Sequence, residues 1–152
     1  MKKIRIATKA IIRRDGQILL IKFKNSERGI HYGFPGGGQE HGETLEASII
    51  RECLEEIGQD VQPLALVHVR EFIGRNQAPA TMYHEFHQVE CYFECKLLSD
   101  RPYDTATVPD ENQIGVEWID IEKLPSLNLV PQTVGQVIAS GQMTPVYLGD
   151  VH

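Results

Sequence analysis

Residues 37–59 read GGQEHGETLEASIIRECLEEIGQ, and the reading of this stretch decides the rest of the chain. Thr44 suits a helix N-cap, and Glu43 beside it puts a negative charge where the helix dipole favours one. Gly58 suits a helix stop, because glycine enters the left-handed turn without a Cβ penalty. Between them, Leu45 to Ile57 is long enough for a helix of about three to four turns. At about 100° per residue, Ile49, Ile50, Cys53 and Ile57 are expected on one side. Glu52, Glu55 and Glu56, at i, i+3 and i+4, are expected on another.

Three carboxylates on one face repel each other, at about 0.2–0.5 kcal/mol per i,i+4 pair on an isolated helix. A divalent cation would offset that repulsion, and all-oxygen ligands favour a hard ion, Mg²⁺ or Mn²⁺. A solvated acidic helix face has the same local sequence. The loop before the helix, Phe34-Pro35-Gly36-Gly37-Gly38, tips the balance toward a metal site, since a glycine-rich backbone can approach a ligand closely. It is not a phosphate-binding P-loop, because GK[ST] is absent. Arg51 has Glu55 one turn on, so an ion pair between them follows from helix geometry.

In register the stretch is G-x5-E-x7-R-E-C-x-E-E-x-G-Q. It resembles the Nudix box, G-x5-E-x7-R-E-U-x-E-E-x-G-U, where U is a bulky aliphatic. All seven fixed letters match; at about 7% per letter a chance match in a chain this short is roughly one in a million, so the spacing itself carries the resemblance. The departures are Cys53, a small hydrophobe that fits, and Gln59, whose polarity weakens the packing expected just past the helix. The segment GVEWIDIEKLPSL, residues 115–127, is similar to the late strand and turn of the same family. The resemblance implies an α+β fold with a mixed curved sheet between helices, an α/β/α sandwich. It implies that Glu52, Glu55 and Glu56 hold the metal with the Gly36 carbonyl, that Arg51 orients the glutamates, and that Glu43, with the Gly37 loop, braces loop against helix. It also implies attack of water on phosphorus and cleavage of a pyrophosphate bond in a nucleoside diphosphate linked to another moiety. Two acids are candidates for the proton acceptor: Glu52, and Glu111 in the loop before the Trp118 strand, with Asp110 the runner-up to Glu111.

Outside the box the chain reads as strands with a second late helix. Residues 3–13 and 17–24 are expected as a hairpin turning at Asp15-Gly16. Further strands are expected at 64–73, 83–98 and 115–119, the penultimate one alternating Val89, Cys91, Phe93, Cys95 and Leu97 onto one apolar face. A helix is expected over 130–140, with Pro131 in its first turn and Gly141 at its end, then a short strand near 145–148. The length of 152 residues suits one domain. Arg5, Lys9, Arg13 and Arg14 interrupt the apolar N-terminal run, which makes it a first strand and a poor signal peptide. Cys53, Cys91 and Cys95 fit neither a zinc pattern nor a disulfide framework, so they are expected reduced and the protein cytoplasmic.

No stretch is apolar enough to span a bilayer, so no membrane partner is expected. The net charge of −6 argues against an extended nucleic-acid surface but not against an anionic small substrate, because bound cations would invert the local field. A nucleotide-type small molecule is therefore the expected partner, and a homodimer is left open. Arg70, Tyr32 and Phe34 are candidate substrate contacts, the arginine for phosphate and the rings for stacking. Arg75 and several histidines are further phosphate candidates. Two other functions share the expected fold: a ligand sensor without turnover, and an isoprenyl diphosphate isomerase. The full set of box acids disfavours both.

Overall fold

The computed structural model describes residues 2–77 and 83–152. Strand β1 (Arg5–Arg14) and strand β2 (Gln17–Asn25) form the expected hairpin, with Asp15 and Gly16 both at positive φ as a tight turn between twisted strands requires. Their pairing covers only Arg13↔Ile18 and Arg14↔Gln17. Beyond those residues the strands part, and each recruits its own neighbours. Strand β1 pairs in parallel with β6 (His87–Leu97) and antiparallel with β4 (Gly36–Gly38), and β6 continues to β5 (Val61–Ile73) and β9 (Tyr147–Asp150). Strand β2 pairs with β3 (Gly29–Gly33) and β7 (Gln113–Asp120), and β3 continues to the short β8 (Leu129–Val130).

Alternation along the hairpin sends side chains into two separate cores. Ala10, Ile12, Leu19 and Ile21 pack with Ile49, Cys53 and Ile57 of helix α1 (Leu45–Ile57), joined by Cys91, Phe93 and Cys95. Ile11, Ile18 and Leu20 point the other way, to Val134 and Ile138 of helix α2 (Gln132–Ser140) and to Phe34 and Tyr92. The mixed sheet therefore lies between two helices, as the box resemblance implies. One helix position departs from the expected face: Ile50 is 42% exposed. At about 100° per residue it falls at one edge of the stripe centred on Ile49, Cys53 and Ile57, and Glu56 falls at the opposite edge. Pro63, expected to precede its strand, sits within β5 at a register irregularity, where a missing N–H is tolerated.

The ends of α1 are tied down on both sides. The Thr44 hydroxyl accepts from the Ala47 amide at 3.0 Å, and Gly58 adopts φ +66° at the stop. The segment 98–113 then supplies donors to the last carbonyls, which an α-helix leaves without internal partners. Val108 N–H donates to Glu55 O, the Gln113 amide to Glu56 O, and Arg101 to Gly58 O.

Gln59 corrects the expectation of weak packing. It is fully buried, its Nε2 donates to the carbonyls of Arg101 and Ile57, and its Oε1 accepts from Ser99 Oγ and Arg101 N–H. An aliphatic residue there would orphan these groups. Gln59→Leu is expected to lower the free energy of unfolding by about 2–4 kcal/mol, from several lost or unsatisfied hydrogen bonds. Urea denaturation checks this; an unchanged midpoint would mean that the 98–113 segment holds α1 without Gln59.

Candidate active site

The site is assembled around the guanidinium of Arg51. Its Nε donates to Glu43 Oε2 at 3.1 Å, and its Nη2 to Glu43 Oε1 at 2.8 Å and to Gly38 O at 3.0 Å. Its Nη1 donates to Glu52 Oε1 and Glu55 Oε2, each at 3.0 Å. All five N–H groups of the fork are thus engaged, between the helix carboxylates and the glycine loop. Hydrogen bonds from Arg51 hold the Glu43 carboxyl down at about 2, and Glu43 in turn raises Arg51. Glu43 also accepts from the Glu40 amide, which closes the loop onto the helix start.

The glycines are required by how closely the loop lies on the acids. A Cβ at Gly37 would stand 2.6 Å from the Glu52 carboxylate. Gly36 has φ +143° and would carry its Cβ into the Thr8 carbonyl on β1. The Gly36 amide donates to Glu56 Oε2 at 3.3 Å, so the residue expected to offer a carbonyl lies beside one of the expected carboxylates.

Glu56 is the most perturbed of the three acids. Burial pushes its carboxyl up to about 8, against the pull of Lys9 and the Gly36 amide; the charges of Glu52 and Asp110 push it further up. Glu52 is buried too, at 9% exposure, and Glu55 half-buried. Among the described residues no three His, Cys, Asp or Glu side chains already converge on one point; Arg51 draws Glu52 and Glu55 while Glu56 faces the loop amide. The donor set still fits a hard divalent cation. It consists of oxygens only, and the charge of Lys9 does not outweigh burial and the two further acids that crowd the Glu56 carboxyl.

Beside the acids lies a cavity of about 260 Å³ at the mouth where β1 and β2 diverge. Phe23 stacks on His31 at one wall, with centroids 5.4 Å apart, and Phe72 and Phe86 line another. Lys9 and Asp110 belong both to this cavity and to the surroundings of Glu56. The expected candidates distribute unevenly around it. Tyr32 lines the cavity and donates its hydroxyl to Glu117. Phe34 is 3% exposed and packs edge-on against Tyr92, so it serves the wall more than a stacking surface. Asp110 faces the acids from the loop before β7, while Glu111, the preferred loop acid on sequence grounds, is exposed and its side chain makes no hydrogen bond or ion pair.

Arg70, expected as a phosphate contact, lines the cavity but is engaged by protein partners. Its Nε and Nη2 fork onto Glu90 at 3.1 and 2.7 Å, and its Nη1 donates to Val151 O at 2.7 Å. Both partners are about 5% exposed. A guanidinium so engaged is part of the cavity floor and not a free clamp for phosphate. Burial alone would raise the Glu90 carboxyl, but Arg70, Lys9 and the hydrogen bonds outweigh it and hold it well below the usual range. Sequence reasoning missed this floor. Its only signal was a polar alternation, Gln88 and Glu90, opposite the apolar face of β6. Arg75 is exposed on a 3-10 turn away from the acids, and His68 is buried against Pro145 O.

A sandwich with an acidic helix face under a glycine loop, next to an aromatic cavity, is the architecture of the MutT-like hydrolases. The chain belongs to the NUDIX family, whose NUDIX domain model matches residues 3–139. This is a family of pyrophosphohydrolases that use divalent metal ions. Over 53 residues the chain is 45% identical to an ADP-ribose pyrophosphatase of Methanocaldococcus jannaschii, covering 35% of this chain and 31% of that protein. Over 123 residues it is 29% identical to a putative nudix hydrolase 1 of Caenorhabditis elegans, covering 78% of this chain and 29% of the relative. It thus spans under a third of either protein. It is 31% identical over 127 residues to the nucleoside triphosphatase NudI of an Enterobacter species, covering 78% of this chain and 84% of NudI. Among solved structures, the MutT protein of Methanosarcina mazei superposes with a TM-score of 0.70 at 20% identity, over 92% of this chain and 96% of that one. A MutT NUDIX hydrolase of Burkholderia pseudomallei does so with 0.66 at 26% identity, over 88% and 95%.

Two outcomes follow from this geometry. Glu56 keeps a proton in the folded, metal-free chain between about 4.5 and about 8, where the unfolded chain has lost it. Its contribution to stability is therefore full below the lower value and falls as pH rises toward the upper one. A cation that needs the carboxylate must displace that proton, so Mn²⁺ affinity is expected to rise about tenfold per pH unit up to about pH 8 and then level off. Titration calorimetry across this range checks it, and Glu56→Gln should flatten the profile.

Arg51→Lys cannot reproduce five directed donors from one ammonium. Mn²⁺ affinity is expected to fall about tenfold to a hundredfold, as for residues that orient metal ligands. Binding of a nonhydrolysable substrate analogue at saturating metal should change less than about twofold, well under one hydrogen bond's worth. Loss of analogue binding with unchanged metal binding would make Arg51 a phosphate ligand instead.

Proposed function

We propose that this chain is a divalent-metal-dependent pyrophosphohydrolase acting on a nucleoside diphosphate linked to a further moiety, which includes nucleoside triphosphates and nucleotide sugars. The observation that carries this reading is the position of Glu56: a buried carboxyl crowded by Glu52 and Asp110, whose neighbours Lys9 and Asp110 also line an aromatic cavity. A divalent cation would offset that charge, and the bound cation would in turn attract an anionic ligand. The pyrophosphatase and triphosphatase names of the relatives support the same reaction class.

Glu52, Glu55 and Glu56, with the Gly36 carbonyl, are assigned to hold Mg²⁺ or Mn²⁺, which when bound neutralises the diphosphate, stabilises the leaving oxygen and acidifies water. The residues of the chain do the rest. Arg51 keeps Glu52 and Glu55 oriented. The aromatic walls bind the nucleoside and exclude water from its faces. A water oxygen bonds to phosphorus while the bridging P–O bond breaks, the water proton passes to a carboxylate, and the bridging oxygen leaves with its electron pair. We assign the proton to Asp110 or Glu52. Asp110 is preferred to Glu111 in this role because Asp110 lines the cavity and its charge reaches Glu56, whereas Glu111 is not part of the cavity lining.

Phosphate release after phosphatase coupling, over a panel of nucleoside triphosphates, ADP-ribose and nucleotide sugars with Mg²⁺ or Mn²⁺, tests the proposal. Turnover of at least one is expected, with Glu55→Gln and Glu56→Gln each losing most of it while keeping the fold. Near-wild-type turnover in either variant would remove the metal assignment, and tight nucleotide binding without turnover would favour a sensor. Asp110→Asn is expected to lower kcat at least about tenfold, the lower range for a general base, and Glu111→Gln less than about twofold. The reverse order would restore Glu111.

A further inference from the structure

A lysine in the middle of the central strand has no counter-ion of its own. On β1, Ala7, Thr8, Ala10, Ile11 and Ile12 are all fully buried, and Lys9 alone among them keeps partial exposure. The strand is flanked on both sides, with Lys9 opposite Gly36 of β4 and Tyr92 of β6. Placing an ammonium there costs desolvation unless something negative compensates it. Yet among the described residues Lys9 makes no side-chain hydrogen bond, and no carboxylate lies within 4.0 Å of it.

Two acids feel its charge, and neither is free to serve it. Glu90 accepts from Arg70 twice, from Gln88 and from Tyr92, so both of its oxygens are saturated. Glu56 belongs to the acid cluster under the glycine loop, and a divalent cation bound there takes up its charge. The charge of Lys9 reaches both, and its side chain lines the cavity together with Glu90. With the acids committed, the remaining space for an anion is the cavity that Lys9 and Asp110 line.

We propose that Lys9 binds the diphosphate of the substrate directly, its ammonium meeting nonbridging phosphate oxygens where the cavity meets the acid cluster. This deepens the pyrophosphohydrolase reading and rests on it. A lysine suits the position: it is a compact point charge on a flexible stem, able to follow the phosphates without a preset fork. The single charged residue in the buried run Ala7–Ile12 was the sequence signal for it. That signal is visible only once β1 is known to be central.

Binding of methylenediphosphonate, which carries two phosphonates, no base and no hydrolysable bridge, tests the assignment at saturating Mn²⁺ by calorimetry. Lys9→Met is expected to weaken it about tenfold to a hundredfold, the range of one lost charged hydrogen bond. Lys9→Arg should recover most of that loss. In turnover with any substrate found, Lys9→Met should raise KM by a similar factor and change kcat less. Mn²⁺ affinity without ligand and the thermal midpoint should stay close to wild type. Equal binding by wild type and Lys9→Met, or no binding by wild type, overturns the assignment. So does a Lys9→Met loss that tracks Mn²⁺ affinity or that arginine does not rescue, because Lys9 would then only compensate Glu56. Methylenediphosphonate binding that depends on Lys9 in a protein that turns over no substrate would leave this contact standing and remove the hydrolase reading.

Discussion

The engagement of Arg51 by two helix carboxylates, one loop carboxylate and one loop carbonyl is the constraint on which the site depends. The acids of α1 repel one another, and the glycine run Gly36–Gly38 above them has no side chains with which to grip the helix. One guanidinium answers both problems. Its planar fork has more directed donors than any other side chain, so it can hold Glu52 and Glu55 while bonding Glu43 and Gly38 O. Gly37 then has to be glycine, because the loop is drawn down until a Cβ would meet the Glu52 carboxylate.

Two buried glutamates, Glu56 and Glu90, show how surroundings separate structure from chemistry. Glu90 has every lone pair occupied by a donor, including a forked arginine, and remains ionised in the interior. It is a finished part of the cavity floor, and Arg70 is finished with it. Glu56 has one long hydrogen bond from a backbone amide and two acidic neighbours. A buried carboxyl left so incompletely paired is where a ligand has something to gain, and such groups mark functional sites.

The cavity exists because the hairpin does not stay closed. Strands β1 and β2 pair only next to their turn and then follow different partners. Their divergence opens a cleft, with β6 and β5 forming the floor and β2 and β3 one wall. The 98–113 segment completes it. By donating to the last carbonyls of α1 it fixes the helix end, and the same segment turns Asp110 toward Glu56. Cap and loop acid are thus set by one stretch of chain.

Local rules were enough for much of this. The helix over Leu45–Ile57, its Thr44 and Gly58 caps, the Asp15-Gly16 turn and the alternation of β6 all follow from periodicity and backbone preference, which act over a few residues. The pairing of Arg51 with Glu43 and Glu55 was legible because box spacing and helix geometry bring those residues together. Gln59, Arg70, Glu111 and Lys9 were not. The value of each depends on partners far along the chain: Gln59 on Ser99 and Arg101, Arg70 on Glu90 and Val151, Glu111 on which way a loop turns, and Lys9 on whether its strand is central. A side chain's type sets which bonds it can make. Only the tertiary packing decides whether those bonds are already filled, and so whether a charged residue is a completed support or an open site.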